Sequence, residues 1–210
     1  MPTIPGLSRS TLREFGFQLA TIIAGILIAL WVDSLVEARR ERALVRDAHA
    51  AIAREIDENL RDLSGSLPAL EEHQRALLTG LRFADDLRKN GKTDVHTLNF
   101  TIIMPSLHRA SWQSAERTGA LGYMAFADVK AYAEIYDLQD LVVADQRQQL
   151  NRLSEVTARV LGGENYDPTL MRGEELDTFR ARLLDALGSA RVHRDLATQL
   201  VKKYQNAPKH

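Results

Sequence analysis

Apolar and polar positions divide the chain into one uninterrupted apolar run followed by a series of amphipathic stripes. Phe15 to Val32 reads FGFQLATIIAGILIALWV, uncharged between Glu14 and Asp33, with Gln18 its only clearly polar side chain. At about 1.5 Å rise per residue, a helix of this length crosses the hydrocarbon core of a bilayer. Val36-Glu37-Ala38 has the look of a small-residue cleavage site. The apolar core of a signal peptide, however, usually runs only about 7–15 residues, and the sequence after Asp33 flows straight into a helical pattern. The run therefore reads as an uncleaved anchor.

Beyond it the period is helical. Val45, Ala48, Ile52, Ile56, Leu60 and Leu63 fall on one stripe, with no Gly or Pro between that stripe and the anchor. One helix is expected to leave the membrane and become the first helix of the domain. Ser64-Gly65-Ser66-Leu67-Pro68 is expected to end it, with Ser66 capping a second helix and Pro68 in that helix's first turn. Leu67, Leu70, Leu77, Leu81 and Ala84 give this second helix its apolar face, and Asn90-Gly91 stops it. Thr93 to Leu107, broken by Pro105, fits a short buried helix or an extended segment equally well. Ser111-Trp112 opens a short helix that ends at Thr118-Gly119. Asp128 to Leu161 reads as one long helix with Ala131, Ile135, Leu138, Val142, Leu150, Leu153 and Val160 inward. A loop from Gly162-Gly163 to Gly173, containing Pro168, precedes a last stripe of Leu176, Phe179, Leu183 and Leu187. Gly188-Ser189 is expected to bend that stripe before Leu196, Leu200 and Tyr204 continue it. No convincing period-two run appears. The pattern predicts an all-α protein, an N-terminal transmembrane helix continuing into a soluble bundle of four to five helices. Residues 1–14 form an N-terminal tail, 15–33 the membrane helix, 34–205 the soluble bundle and 206–210 a disordered tail.

Composition sharpens this in three ways. With 210 residues, enough chain remains beyond the anchor for one domain with its own core. A formal net charge of -1 argues against a nucleic-acid partner, since phosphate binding needs a basic surface. Cysteine is absent, which excludes disulfides, zinc-thiolate sites and thiol nucleophiles.

Candidate chemistry is sparse. The six histidines include no HExxH pair. His49 and His73 would meet across a hairpin of the first two helices, near Glu55 or Glu72. A ferritin-like metal site, however, needs Glu-x-x-His on two helices, and Glu72-His73 and His49 do not supply it. GxSxG, GxxxxGK[ST] and GxGxxG are all missing. Asp85-Asp86, Glu71-Glu72 and Glu174-Glu175 fall on expected solvent faces. No catalytic residue, metal ligand or cofactor is assigned.

Four kinds of position remain as candidate sites. Ala20 with Ala24, and Gly25 with Ala29, place small residues four apart, the spacing that lets two membrane helices approach closely. Trp31 suits an interfacial anchor. Arg39, Arg40 and Arg42 follow within one to two turns and suit contact with headgroups by snorkelling, although Glu37–Glu41 and Arg42–Arg46 are like-charged at i,i+4. Trp112 and Tyr123 bracket the distinctive segment SWQSAERTGALGYM, a wedge closing the bundle or a partner or ligand surface. Orientation is ambiguous. Counting only Lys and Arg around the span favours a cytoplasmic domain, and counting net charge favours the reverse.

The span's Gly25-Ile26-Leu27-Ile28-Ala29-Leu30, followed closely by Asp33 and a charged helix, resembles a family of uncharacterised bacterial single-span membrane proteins. Trp112 followed by Thr118-Gly119-Ala120-Leu121 ahead of a long helix resembles the same family. The likeness touches about a third of the chain and neither motif is catalytic, so it implies an architecture rather than an activity. It implies a bacterial inner-membrane protein with one span and a periplasmic C-terminal domain. Together these readings predict a non-enzymatic, membrane-anchored helical interaction or scaffold protein. Its partners would be the lipid bilayer and either further copies of itself or the subunits of a membrane complex. The alternative is an extracytoplasmic sensory or ligand-binding domain acting through a partner chain.

Overall fold

A computed structural model describes residues 9–101, 103–160 and 167–208, with backbone alone for 9–14, 16 and 158–160. Among the described residues there are four α-helices and no strand: α1 (Arg9–Asn90), α2 (Ala110–Thr118), α3 (Phe126–Val160) and α4 (Gly173–Gln205). Short 3-10 turns at Ala120–Tyr123 and Pro168–Leu170 precede α3 and α4.

The 82 residues of α1 absorb the anchor and both helices expected after it, a length of about 120 Å. The expected break at Ser64–Pro68 does not occur, and Pro68 sits inside the helix. Proline there cannot donate to the Ser64 carbonyl and crowds it. Two neighbouring carbonyls are instead met by hydroxyls, Ser64 Oγ donating to Arg61 O at 3.2 Å and Ser66 Oγ to Leu63 O at 2.7 Å. Ser66 is thus buried mid-helix rather than a cap. Leu63 and Leu70, on either side, are buried in the same core cluster, and that shared burial outweighs the local cost of the breaker.

Helix α1 ends where Asn90-Gly91 predicts. Gly91 takes φ +66, open to glycine at no steric cost, and its N–H bonds to Leu87 O. The chain then runs back along α1 as an extended strap, settling the ambiguity over Thr93 to Leu107. Arg82 holds Asp94 with both carboxylate oxygens at 2.7 Å, and further along Asn59 binds the backbone of His108. The strap returns the chain to the end of the domain nearest the apolar stretch, so α3 starts there and runs parallel to α1. The pairs His49–Tyr132, Glu55–Tyr136 and Asn59–Gln139 climb both helices together. Helix α4 is antiparallel to both, as Asp85–Arg180 and Gln74–Ala190 show against α1, and Asp145–His193 and Gln149–Ser189 against α3.

The bundle therefore has three long helices, one short one and a strap. Two clusters fill it. The cluster near the apolar stretch gathers Ile52, Ile56, Leu63 and Leu70 of α1 with Trp112, Tyr132, Tyr136, Leu200 and Tyr204. The far cluster gathers Leu77, Phe83 and Leu87 with Met171, Leu176, Phe179 and Leu183. Of the inward positions expected on α3, Leu150 is exposed while the neighbouring Gln149 is buried and bonds to Ser189, and the Val160 side chain lies outside the described residues. Gly188-Ser189 leaves α4 unbroken. Beyond α4, Asn206 N bonds back to Lys202 O and Lys203 O, and Ala207 packs on the core. Leu161 and Gly162-Gly163 lie outside the described residues, as do residues 1–8 and 209–210.

Candidate functional site: a groove beside the apolar stretch

The stretch expected to cross the membrane stands clear of the domain. Its most apolar window has mean hydropathy 2.3 and none of it is buried. Phe17, Ile22, Ile26, Leu27, Leu30 and Trp31 all project outward, so the helix is apolar on every side. That is the signature of a helix surrounded by apolar material. By length and composition this helix is sufficient to cross a membrane. Ala20, Ala24, Gly25 and Ala29 are exposed on it, and a Cβ added at Gly25 would meet nothing within 4 Å.

Where α1 reaches the domain, the turn before α3 meets it. Gly119 ends α2 in the left-handed conformation at φ +75, its N–H bonding back to Ala115 and Glu116. Ala120 and Met124 then turn inward and are buried, which leaves Tyr123 and Phe126 facing out, 54% and 82% exposed. Tyr123 and the α1 residues Ala38, Glu41, Arg42, Val45, Arg46 and His49 form the walls of an open groove of about 640 Å³. Val45 and the tyrosine ring supply apolar wall, and the two arginines supply positive charge. At the inner end, His49 Nδ1 lies 3.1 Å from the Tyr132 hydroxyl, and His49 Nε2 lies 4.0 Å from Asp128. Burial, with Asp128 adding to it, pushes the Tyr132 hydroxyl up to about 12.

The structure therefore joins two separately predicted sites, Arg42 from the headgroup set and Tyr123 from the partner surface. It leaves the others apart. Arg39 and Arg40 are exposed on α1 outside the groove, and Trp31 is exposed on the apolar stretch. Trp112 shares no surface with Tyr123. It is 5% exposed and stacks on Tyr136 with ring centroids 5.4 Å apart. His49 and His73 do not face each other across a hairpin, since both sit on the unbroken α1, about 36 Å apart. Among the described residues no three His, Cys, Asp or Glu side chains converge as a metal site would require.

Sequence reasoning missed the buried polar contacts that fix the helices against one another. Glu55 on α1 accepts from Ser111 N, capping α2 at 2.8 Å, and from the Tyr136 hydroxyl at 2.7 Å. Asn59 donates to Gln139 Oε1 and to His108 O, and Tyr204 donates to Gln139 Oε1 at 2.6 Å. Burial pushes the Tyr136 and Tyr204 hydroxyls well above their ordinary value. Deeper along the bundle His193, 2% exposed, donates from Nδ1 to Asp145 at 2.7 Å, and His73 donates from Nδ1 to Thr101 O of the strap at 3.1 Å. The available signal was polar residues on apolar stripes: Glu55 lies three after Ile52, and Gln139 four after Ile135.

No protein-family model, no curated protein and no solved structure matches this chain.

Proposed function

We propose that this chain is a single-pass, membrane-anchored interaction protein of a bacterial inner membrane, an accessory or self-associating component of a membrane complex. The observation that carries the reading is the continuity of α1. One helix runs unbroken from the exposed apolar stretch into the core, so anything that grips the bundle is rigidly tied to the span. Large contiguous apolar surface on an otherwise soluble domain marks a membrane or protein contact, and the small residues Ala20, Ala24, Gly25 and Ala29 offer a face for helix pairing. The domain is placed on the periplasmic side, following the family that the GILIAL span resembles. The reading assigns no reaction to the chain.

Gentle extraction of the tagged chain from its own membranes, with mass and co-purifying chains determined together, tests it. A defined larger assembly is the expected result. A strictly monomeric protein without partners would overturn it.

A second reading is a sensory domain that passes a ligand signal to a partner chain. The groove favours it, because a molecule held between Tyr123 and α1 would touch the same helix that enters the membrane. A ligand-dependent rise in thermal stability would support it, and a flat response across a metabolite library would count against it.

A further inference from the structure

We propose that the groove between Tyr123 and α1 holds the phosphate of an anionic phospholipid from the adjoining leaflet, with Arg42 and Arg46 as its ligands. The inference rests on the anchored reading above and concerns what the anchor brings to this groove. Height comes first. The apolar surface of α1 ends at Leu35 and Val36, and the groove begins at Ala38, about 3 Å further along the axis. The headgroup layer extends roughly 5–8 Å beyond the hydrocarbon. Ala38 and Glu41 therefore lie among headgroups, while the Cα atoms of Arg42 and Arg46 stand about 9 and 15 Å beyond Val36 and their long side chains lean back toward the leaflet, as helix side chains lean toward the N-terminus.

Charge comes second. Arg42 and Arg46 stand at i,i+4 on the same wall, a like-charged pair that costs helix stability when nothing lies between them. The contact Arg46 makes with Asp47 is long, 3.4 Å, between largely exposed groups. Among the described residues that line the groove Glu41 is the one carboxylate, beside these two guanidiniums, and Asp128 stands behind the His49 ring at 4.0 Å. A phosphate between the guanidiniums turns their repulsion into two charge-assisted contacts, and guanidinium forks match phosphate oxygens.

The apolar wall comes third. Ala38, Val45 and the Tyr123 ring offer surface to the glycerol and upper acyl chain, and Phe126 beside the turn adds an aromatic at the same end of the bundle. Aromatic side chains with a polar tip favour this level of the membrane. Arg39 and Arg40 carry equal charge and stand about 7 Å nearer the membrane on average, yet do not line the groove, which makes them a strict control for diffuse attraction.

The test reconstitutes the full chain in vesicles of phosphatidylcholine with a minor share of phosphatidylglycerol. It then extracts the protein gently and reads the retained lipids by native mass spectrometry. Phosphatidylglycerol is expected to be retained about fivefold or more above its bulk share, the gain of about one well-placed cation at the surface. Arg42→Gln with Arg46→Gln should return retention to the bulk ratio, while Arg39→Gln with Arg40→Gln should leave the enrichment standing. Tyr123→Ser should weaken retention without touching any charge. Equal loss in both arginine pairs, or no enrichment in the unmodified chain, would overturn the site in favour of diffuse attraction. A phosphate adduct formed in lipid-free detergent with inorganic phosphate alone would assign the groove to a free anion and overturn the lipid source. Release of the unmodified chain from vesicles by alkaline carbonate would bring down the anchored reading itself. Retention in the membrane without enrichment would sink this inference alone.

Discussion

Tyr136 and Glu55, 81 residues apart in sequence, meet at 2.7 Å in the core, the hydroxyl of α3 donating to the carboxylate of α1. The other carboxylate oxygen receives Ser111 N, so one side chain joins α1 to both α2 and α3. Tyr136→Phe should lower stability by about 1–3 kcal/mol, because Glu55 stays buried with one of its two donors gone. Glu55→Ala should cost at least as much, since Ser111 N and the Tyr136 hydroxyl would both lose their acceptor. Urea unfolding of the detergent-solubilised chain checks both. A midpoint unchanged in either variant would show that the contact carries no net energy.

The histidine on the strap side of α1 makes stability depend on pH. Burial lowers the pKa of His73 below its ordinary 6.5; the Thr101 carbonyl pulls it back up, and His193 adds to the lowering. In the window just below pH 6.5 the unfolded chain binds a proton that the folded chain refuses. The contribution of neutral His73 is therefore complete above about pH 6.5 and drains away as pH falls toward the folded pKa. His73→Gln keeps a donor for Thr101 but cannot titrate, so it should flatten the acid side of a stability profile between about pH 5 and pH 8. The His193–Asp145 pair and nearby Arg194 remain in that variant, and any slope they produce persists in it. An undiminished slope would remove His73 as its source.

Helix breakers that do not break should yield stability when replaced. Gly188 and Gly65 lie inside helices, and an added Cβ meets nothing within 4 Å at either. Gly188→Ala should therefore stabilise by about 0.5–1 kcal/mol. Pro68→Ala should also stabilise, by restoring an N–H to the Ser64 carbonyl. Gly80 is different. A Cβ there would come within 2.9 Å of Phe100 Cζ and 3.1 Å of Leu183 Cδ2, so Gly80→Ala should push the strap outward and lose most of that gain. Thermal midpoints of the three variants separate the two kinds of glycine. A gain at Gly80 equal to that at Gly188 would mean the strap yields freely.

These breakers mark the limit of what the sequence disclosed. The all-helical architecture, the apolar stretch, the α2 stop at Gly119 and the stripes from Ile52 to Leu63 and from Leu176 to Leu187 were legible, because each depends on local period and local backbone chemistry. The fusion of two expected helices through Pro68 was not. It depends on Leu63 and Leu70 sharing one core, a contact made only once α3 and α4 are in place. The parallel course of α1 and α3 was hidden for the same reason, since it follows from a strap that has no period of its own. The groove was half legible. Arg42 and Tyr123 each stood out, but the 80 residues between them gave no sign that they meet.

Self-association through the apolar stretch can be tested without disturbing the domain. Gly25 and Ala29 are exposed on the apolar stretch of α1, where an added Cβ at Gly25 meets nothing within 4 Å, so a larger side chain there leaves the packing of the domain among the described residues intact. Gly25→Ile would separate two helices that pair through this face, since close approach depends on the missing side chain. We expect Gly25→Ile, and Ala29→Ile to a lesser degree, to shift the chain toward monomer in detergent or bicelles. Leu27→Ile, which changes shape but neither size nor polarity, should leave association unchanged. Cross-linking yield or analytical ultracentrifugation reads the shift, and far-UV circular dichroism confirms that the helices are unaltered. If the oligomer survives both substitutions, association does not use the small-residue face, and the exposed α1 surface beyond Val36 or the bundle itself must hold the copies together.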